Sequence, residues 1–278
     1  MFSICQPVVD LRKKPEWVPC KDFSHQEQRD SQLLYAEPVH VVRREGEWCY
    51  VHALLQGHYP GWIHESELLA LSKPYHPNLV VCSFQAKLDR TGMPLCYGTL
   101  LEGTPSGDVL LPNGQKDSLP ASMVRCLPQN FNIPLLCQEA RLFLDAPYLW
   151  GGCSSPAENK IQSVDCSGLV HLLYRAQALM LPRDAKDQVL KGYRVNKFLP
   201  ADAIYLFKPQ KPAHHVLLAL DEQTCIESPR TGFKVRLLKL NQDFWLKAEN
   251  LEVEGREPCH YVVKRFCNLP LNLSRAFV

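Results

Sequence analysis

The sequence predicts an α+β chain in which two small β-barrels precede a larger domain, where helices come first and an antiparallel sheet follows. Three observations carry this expectation. Residues 1–130 break into short alternating strands separated by glycine-bearing turns. Residues 131–278 open with two helical patterns and then run through a series of apolar strands, which is the helices-then-strands order of an α+β domain rather than the βαβ alternation of a parallel sheet. A length of 278 residues also accommodates two barrels of about 50 to 70 residues and a domain of about 140.

The elements follow in order. Tyr35 to Val42 alternates apolar and polar residues, Trp48-Cys49-Tyr50-Val51 follows the Gly46 turn, and Tyr59-Pro60-Gly61-Trp62-Ile63 completes the first barrel, residues 1–75. Leu79 to Cys82, Tyr97 to Leu101, Val109 to Leu111 with its Pro112-Asn113-Gly114 turn, and Met123 to Leu127 form the second, residues 76–130. Lys73 to Pro77 and Leu127 to Asn130 read as linkers. In residues 131–278, Asn132 caps a helix through Leu135, Leu136, Ala140 and Leu142 to Leu144, which ends before Pro147. A second helix starts at Asp165-Cys166-Ser167-Gly168, with Leu169, Val170, Leu172, Leu173, Ala176 and Leu179 at helical spacing. Ala203 to Phe207, Val216 to Leu220, Val235 to Leu238 and Tyr261 to Phe266 supply the sheet.

Cys166 falls in the first turn of the second helix, where the helix dipole favours a thiolate, the form of sulfur that attacks carbonyls. Such a nucleophile needs a base. About fifty residues downstream, His215 opens an apolar strand, and Glu227 in the next short strand turns back onto the imidazole across a hairpin. The imidazole takes the thiol proton and later protonates the leaving amine while the carboxylate fixes the ring, so the expected reaction is acyl transfer to water. Each residue also has an ordinary structural reading. A lone cysteine on a helix is most often buried packing, a histidine before an apolar strand is commonly a satisfied core or surface residue, and a glutamate on a short strand is usually solvated. His214 competes with His215 as the base. Order and spacing, taken together, favour a site.

Composition narrows the partners. A net charge of +2 with 22% charged residues gives no basic tract suited to nucleic acid. Twelve cysteines fall below the density of a disulfide scaffold, and none forms a Cys-x-x-Cys pair, so no metal and no cofactor is implied. The residues from Met1 to Asp10 lack a basic leader and a long apolar run, and no stretch reaches membrane-spanning length. The expectation is a cytoplasmic protein with no membrane partner, a periplasmic or wall location being the alternative; oligomeric state is not indicated.

The local sequence around Cys166 resembles the NlpC-type branch of the papain-like cysteine peptidases. Pro147-Tyr148-Leu149-Trp150-Gly151-Gly152 matches the entry motif of that family, Asp165 to Val170 its nucleophile motif, and Leu181-Pro182-Arg183-Asp184 with Gln188 the segment after the nucleophile helix. Pro200 to Phe207 matches the next strand entry, His215-Val216 the histidine position and Glu227 the third-residue position, across roughly 120 residues. Ala201 and Leu217 depart from glycines common in relatives, and Ala185 from a serine that supports substrate binding there.

The resemblance implies a papain-like fold and hydrolysis of the γ-D-glutamyl–diamino acid amide of peptidoglycan stem peptides. It implies Cys166 as nucleophile, His215 as base, Glu227 as third residue and Tyr148 as an oxyanion donor beside the Cys166 amide; losing one such donor typically costs roughly 10²–10³ in rate. It further implies that Asp165 and Ser167, with Glu37 from the first barrel, hold a substrate ammonium. The Gly-Glu-Trp and Gly-Trp-Ile pieces resemble bacterial SH3-like domains, which precede the peptidase domain in such relatives and close one side of its cleft. Two other functions fit the same sequence: a papain-like amidase or acyltransferase on another acyl substrate, and a wall-fragment binding protein with an inactive peptidase domain.

Overall fold

The computed structural model describes residues 1–17, 28–71, 73–155, 163–240, 250–251 and 259–271. Among the described residues three antiparallel sheets dominate, and helices are few. In the first, β1 (Phe2–Ile4), β2 (Val8–Arg12), β3 (Arg29–Leu34), β4 (Pro38–Glu45), β5 (Trp48–Ala53), β6 (Tyr59–His64) and β7 (Leu68–Ala70) pair in the order β3-β2-β6-β5-β4-β1-β7. The strand expected from Tyr35 onward therefore begins only at Pro38, because Tyr35 to Glu37 form the turn between β3 and β4. Ala36 takes φ 64° between β3 and β4, and the left-handed turn reverses the chain where the sequence shows only a continuous apolar run.

The second sheet holds β8 (Leu79–Val81), β9 (Leu100–Gly103), β10 (Asp108–Leu110), β11 (Lys116–Ser118) and β12 (Val124–Cys126), in the order β11-β10-β9-β8-β12. Tyr75, expected in a linker, is buried and its hydroxyl accepts the Glu102 amide at 3.1 Å, so this stretch is built into the sheet's packing.

Two helices follow. Asn132 caps α1 (Ile133–Ala140) by accepting the Leu135 amide at 3.0 Å. The helix is shorter than its apolar pattern, because residues Arg141–Phe143 tighten into a 3₁₀ turn. The α2 helix (Cys166–Arg175) also stops before Leu179, with Ala178 at φ 60° turning the chain away from the axis. A four-residue helix, α3 (Ala185–Gln188), has too few residues to show a period in the sequence.

The third sheet contains β13 (Tyr193–Val195), β14 (Ala203–Phe207), β15 (Ala213–Ala219), β16 (Thr224–Glu227), β17 (Arg236–Lys239), β18 (Asn250–Leu251) and β19 (Cys259–Arg265), ordered β13-β19-β14-β15-β16-β17 with β18 on β19. Alternation along β14 and β15 divides its two faces. Ala203, Tyr205, Val216 and Leu218 pack toward the helices, whereas Ile204, Leu206, Leu217 and Ala219 face a second cluster with Phe198, Cys225, Leu240 and Val263. Ala201, at one of the departures from relatives' glycine, adopts φ 68°, a conformation that glycine reaches without steric cost.

The largest apolar core is continuous from the second sheet through α1 and α2 to the inner face of the third sheet, and it takes in Leu34, Tyr35, Ala36 and Leu55 from the first. Polar ties cross the same seam: Arg125 bonds Glu139 and the Ala176 carbonyl, and the Tyr97 hydroxyl donates to Glu139 at 2.7 Å. Among the described residues no helix is long and apolar enough to cross a membrane.

Candidate active site

Asp165 is the N-cap of α2, its Oδ1 accepting the Gly168 amide at 2.7 Å. Glycine is required at 168, since a Cβ there would lie 2.1 Å from the Gly152 carbonyl oxygen. Cys166 is thus the first residue of the helix, half-buried, with the Val216 and Ser167 amides directed at its sulfur. Burial pushes the thiol pKa up, and the Asp165 carboxylate adds to this, against the opposing pull of the Val216 amide, Arg183 and the Ser167 amide. This corrects the sequence expectation of a dipole-favoured thiolate. The helix end that would stabilise an anion is already occupied by the capping carboxylate, and desolvation prevails. The sulfur holds its proton until a base removes it.

Val216 carries that sulfur contact, and its neighbour His215 is nearly buried on β15. Pairing of β14 with β15 slips at this point: Leu206 faces His215 but Phe207 faces Ala213, leaving His214 as the extra residue of a bulge. His214 is exposed and His215 turned inward, which separates the two candidate bases. His215 Nε2 lies 2.5 Å from Glu227 Oε2, so the carboxylate holds that nitrogen and Nδ1 is the other face of the ring. Glu227 is fully buried, and its Oε1 accepts Arg236 Nε at 3.0 Å from the directly opposite position on β17.

Tyr148 is buried beside this group, tied by its amide to the Phe233 carbonyl at 2.7 Å. Burial raises its phenol pKa well above the usual value, with the Asp165 charge adding to the effect, so the hydroxyl stays protonated and able to donate. The structure therefore brings together Cys166, His215, Glu227 and Tyr148.

The three residues expected to hold an ammonium are placed differently. Asp165 is bonded by Arg183, whose Nη1 reaches Oδ1 at 3.1 Å and Nη2 reaches Oδ2 at 2.7 Å, in addition to the Gly168 amide on Oδ1. Ser167 Oγ donates to Asp165 and accepts Arg183 Nη1 at 3.0 Å. These bonds fix the pair at the helix end, beside the nucleophile. Glu37 accepts the Leu34 amide and forms a buried ion pair with Arg175. Arg175 ends α2, nine residues beyond Cys166 and, at 1.5 Å per residue, roughly 13 Å along the axis from it.

Acidic groups missed from the sequence lie at the seam with the first sheet. Arg183 Nε donates to Ser31 Oγ on β3 at 2.8 Å, so the neighbours Asp30 and Asp184 come close. Tyr59 on β6 donates to Asp184 at 3.1 Å, and burial raises the Asp30 pKa despite Lys13, with Asp184 adding to the rise. Only the Arg183-Asp184 motif signalled anything here; Asp30 and Tyr59 stand in unremarkable strand sequence.

A helix-borne thiol, a strand-borne imidazole held by a carboxylate and a buried phenol, on a helix-and-antiparallel-sheet scaffold, define a cysteine hydrolase. The NlpC/P60 family profile matches residues 145–252. The chain is 30% identical over 243 residues to the gamma-D-glutamyl-L-lysine dipeptidyl-peptidase of Bacillus cereus, covering 76% of this chain and 71% of that protein. It is 28% identical over 244 residues to the Bacillus subtilis protein of the same name, covering 78% of each. A crystal structure of an NlpC/P60 family protein from Bacillus cereus superposes with a TM-score of 0.76 at 21% identity, over 98% of this chain and 100% of that one, so the fold is shared along the chain. This chain belongs to the NlpC/P60 family and is a cysteine peptidase of the peptidoglycan-directed kind.

Proposed function

We propose that the chain hydrolyses the γ-D-glutamyl–diamino acid amide of peptidoglycan-derived peptides through a thioester on Cys166. The observation that carries the chemistry is the 2.5 Å contact of His215 Nε2 with Glu227, on the strand whose next amide meets the Cys166 sulfur. In this reading His215 Nδ1 takes the thiol proton as sulfur attacks the γ-carbonyl of D-glutamate. The Tyr148 hydroxyl and the Cys166 amide receive the developing oxyanion. The imidazolium protonates the departing amine, and water activated by His215 then cleaves the thioester.

The names of the two Bacillus relatives, dipeptidyl-peptidases, support a substrate with a free amino end. In this reading Asp165 and Ser167, beside the nucleophile, receive its ammonium, since Asp30 and Asp184 already carry Lys13 and Lys186 as counterions. The proposal includes the division into SH3-like barrels at 1–75 and 76–130 and a peptidase domain at 131–278. It also includes a cytoplasmic location acting on released peptides, which the free thiols of the described cysteines suit.

The test is incubation with L-Ala-γ-D-Glu-diaminopimelate, and with its N-acetylated form, followed by mass spectrometry for L-Ala-γ-D-Glu. The expected result is dipeptide from the free amine, little from the acetylated peptide, and none with Cys166→Ala. Absence of product between about pH 5 and 9 refutes the substrate.

A further inference from the structure

The first sheet reaches into the segment that leads from Tyr148 toward the nucleophile helix. Asp10 on β2 lies directly opposite Gln32 on β3, and its Oδ1 accepts Gln32 Nε2 at 3.1 Å and Arg29 Nε at 2.7 Å. Both partners are buried. From there Arg29 Nη1 donates to the Trp150 carbonyl at 3.4 Å, while Gln32 Oε1 accepts the Cys153 amide at 3.3 Å and the Ser154 hydroxyl at 2.8 Å. Gly151, between these contacts, has φ 69°, and a Cβ there would stand 2.9 Å from Arg29 Cγ, so the segment lies flush on the arginine.

The other side of the same segment is tied to the site. The Leu149 amide donates to the Val164 carbonyl at 3.1 Å, and the Gly152 carbonyl accepts the Asp165 amide at 3.0 Å and Arg183 Nη2 at 3.1 Å. Residues 149–154 are thus held between the first sheet and the start of α2, with Tyr148 next to them in the chain. Asp10 also decides which way Gln32 points. A carboxylate only accepts, so it takes the Nε2 end of the amide and turns Oε1 toward the segment, where an N–H and an O–H require an acceptor. Once the carboxylate is removed the amide can turn over and set its NH₂ against the Cys153 N–H, donor against donor.

We infer that Asp10 is a positioning residue for the reaction: through Gln32 and Arg29 it fixes residues 150–154 and so aims the Tyr148 hydroxyl at the oxyanion. This rests on the oxyanion role proposed above for Tyr148.

The experiment compares wild type, Asp10→Ala, Tyr148→Phe and the double variant on L-Ala-γ-D-Glu-diaminopimelate, with hydrogen exchange measured over peptides spanning residues 147–155. Asp10→Ala should lower kcat roughly tenfold at nearly unchanged KM, less than the roughly 10²–10³ cost of losing an oxyanion donor outright. With Tyr148→Phe already in place the same change should cost less than about twofold, since no hydroxyl remains to be aimed. Exchange over 147–155 should accelerate in Asp10→Ala while the β14 and β15 amides keep their wild-type rates. Gln32→Glu, which sets two carboxylates against each other, should lose kcat in the same way and regain it when Asp10→Asn is added, because amide and carboxylate have then exchanged places. If Asp10→Ala does not fold, this reversal carries the test. An equal Asp10→Ala penalty in both Tyr148 backgrounds, a change confined to KM, or a reversal that fails overturns the inference. Should wild type cleave no peptide, the proposed function fails, while hydrogen exchange still decides whether Asp10 holds the segment, and unchanged rates refute it.

Discussion

Replacing Arg175 by Met tests what holds the first sheet to the nucleophile helix. The Arg175–Glu37 pair is 0% and 1% exposed, and Glu37 Oε2, Arg175 Nε and Arg175 Nη2 lack hydrogen-bond partners among the described residues. Taking away the guanidinium leaves a buried carboxylate whose remaining contact is the Leu34 amide, a loss of about 3–5 kcal/mol. Glu37→Leu alone strands the guanidinium and costs about as much. Together the two changes substitute apolar volume for an incompletely satisfied ion pair, so the double variant should lose no more than about 2 kcal/mol, mainly the Leu34 bond. The cycle therefore yields a coupling of about 4 kcal/mol or more, measured by urea unfolding of all four proteins. Additive single losses, or a single loss under about 1 kcal/mol, would refute the reasoning. Were Glu37 instead a substrate contact, Glu37→Gln would raise KM for the free-amine peptide while leaving stability intact.

Two further outcomes follow from the same geometry. His171, fully buried with Nδ1 on the Leu181 carbonyl, has its pKa lowered from 6.5 to about 3, chiefly by burial and then by Arg175 and Arg183. A depressed folded-state value means that its contribution is complete above about pH 6.5 and is lost as the pH falls toward 3; urea midpoints of His171→Gln should show a flatter acid limb than wild type, and parallel limbs would contradict this. Arg236→Met removes the Arg236 bond from Glu227 and loosens the His215 ring, so kcat should fall about tenfold with KM nearly unchanged and Arg236→Lys restoring part; a change confined to KM would count against a positioning role.

Much of this architecture was legible because it rests on local regularities. The Ala203 to Phe207 strand and the Asn132 cap are written in alternation and side-chain chemistry, and the histidine and glutamate lie on adjacent strands of one sheet. What escaped depends on partners far away along the chain. Nothing near Arg183 announces Ser31, nothing near Glu37 announces Arg175, and Arg236 gained a role only when Glu227 was found opposite it. The protonation of Cys166 is not legible in the sequence for a related reason. Position in a helix can be inferred from spacing, whereas desolvation depends on everything that packs around the sulfur.

The bond from Arg183 to Ser31 joins positions 152 residues apart. A ribosome therefore delivers the hydroxyl long before the guanidinium that needs it, and the opening strands stand ready as a template when the helix end emerges. Evolution cannot exchange those strands as a neutral targeting tag, because any replacement inherits the duty of seating that guanidinium.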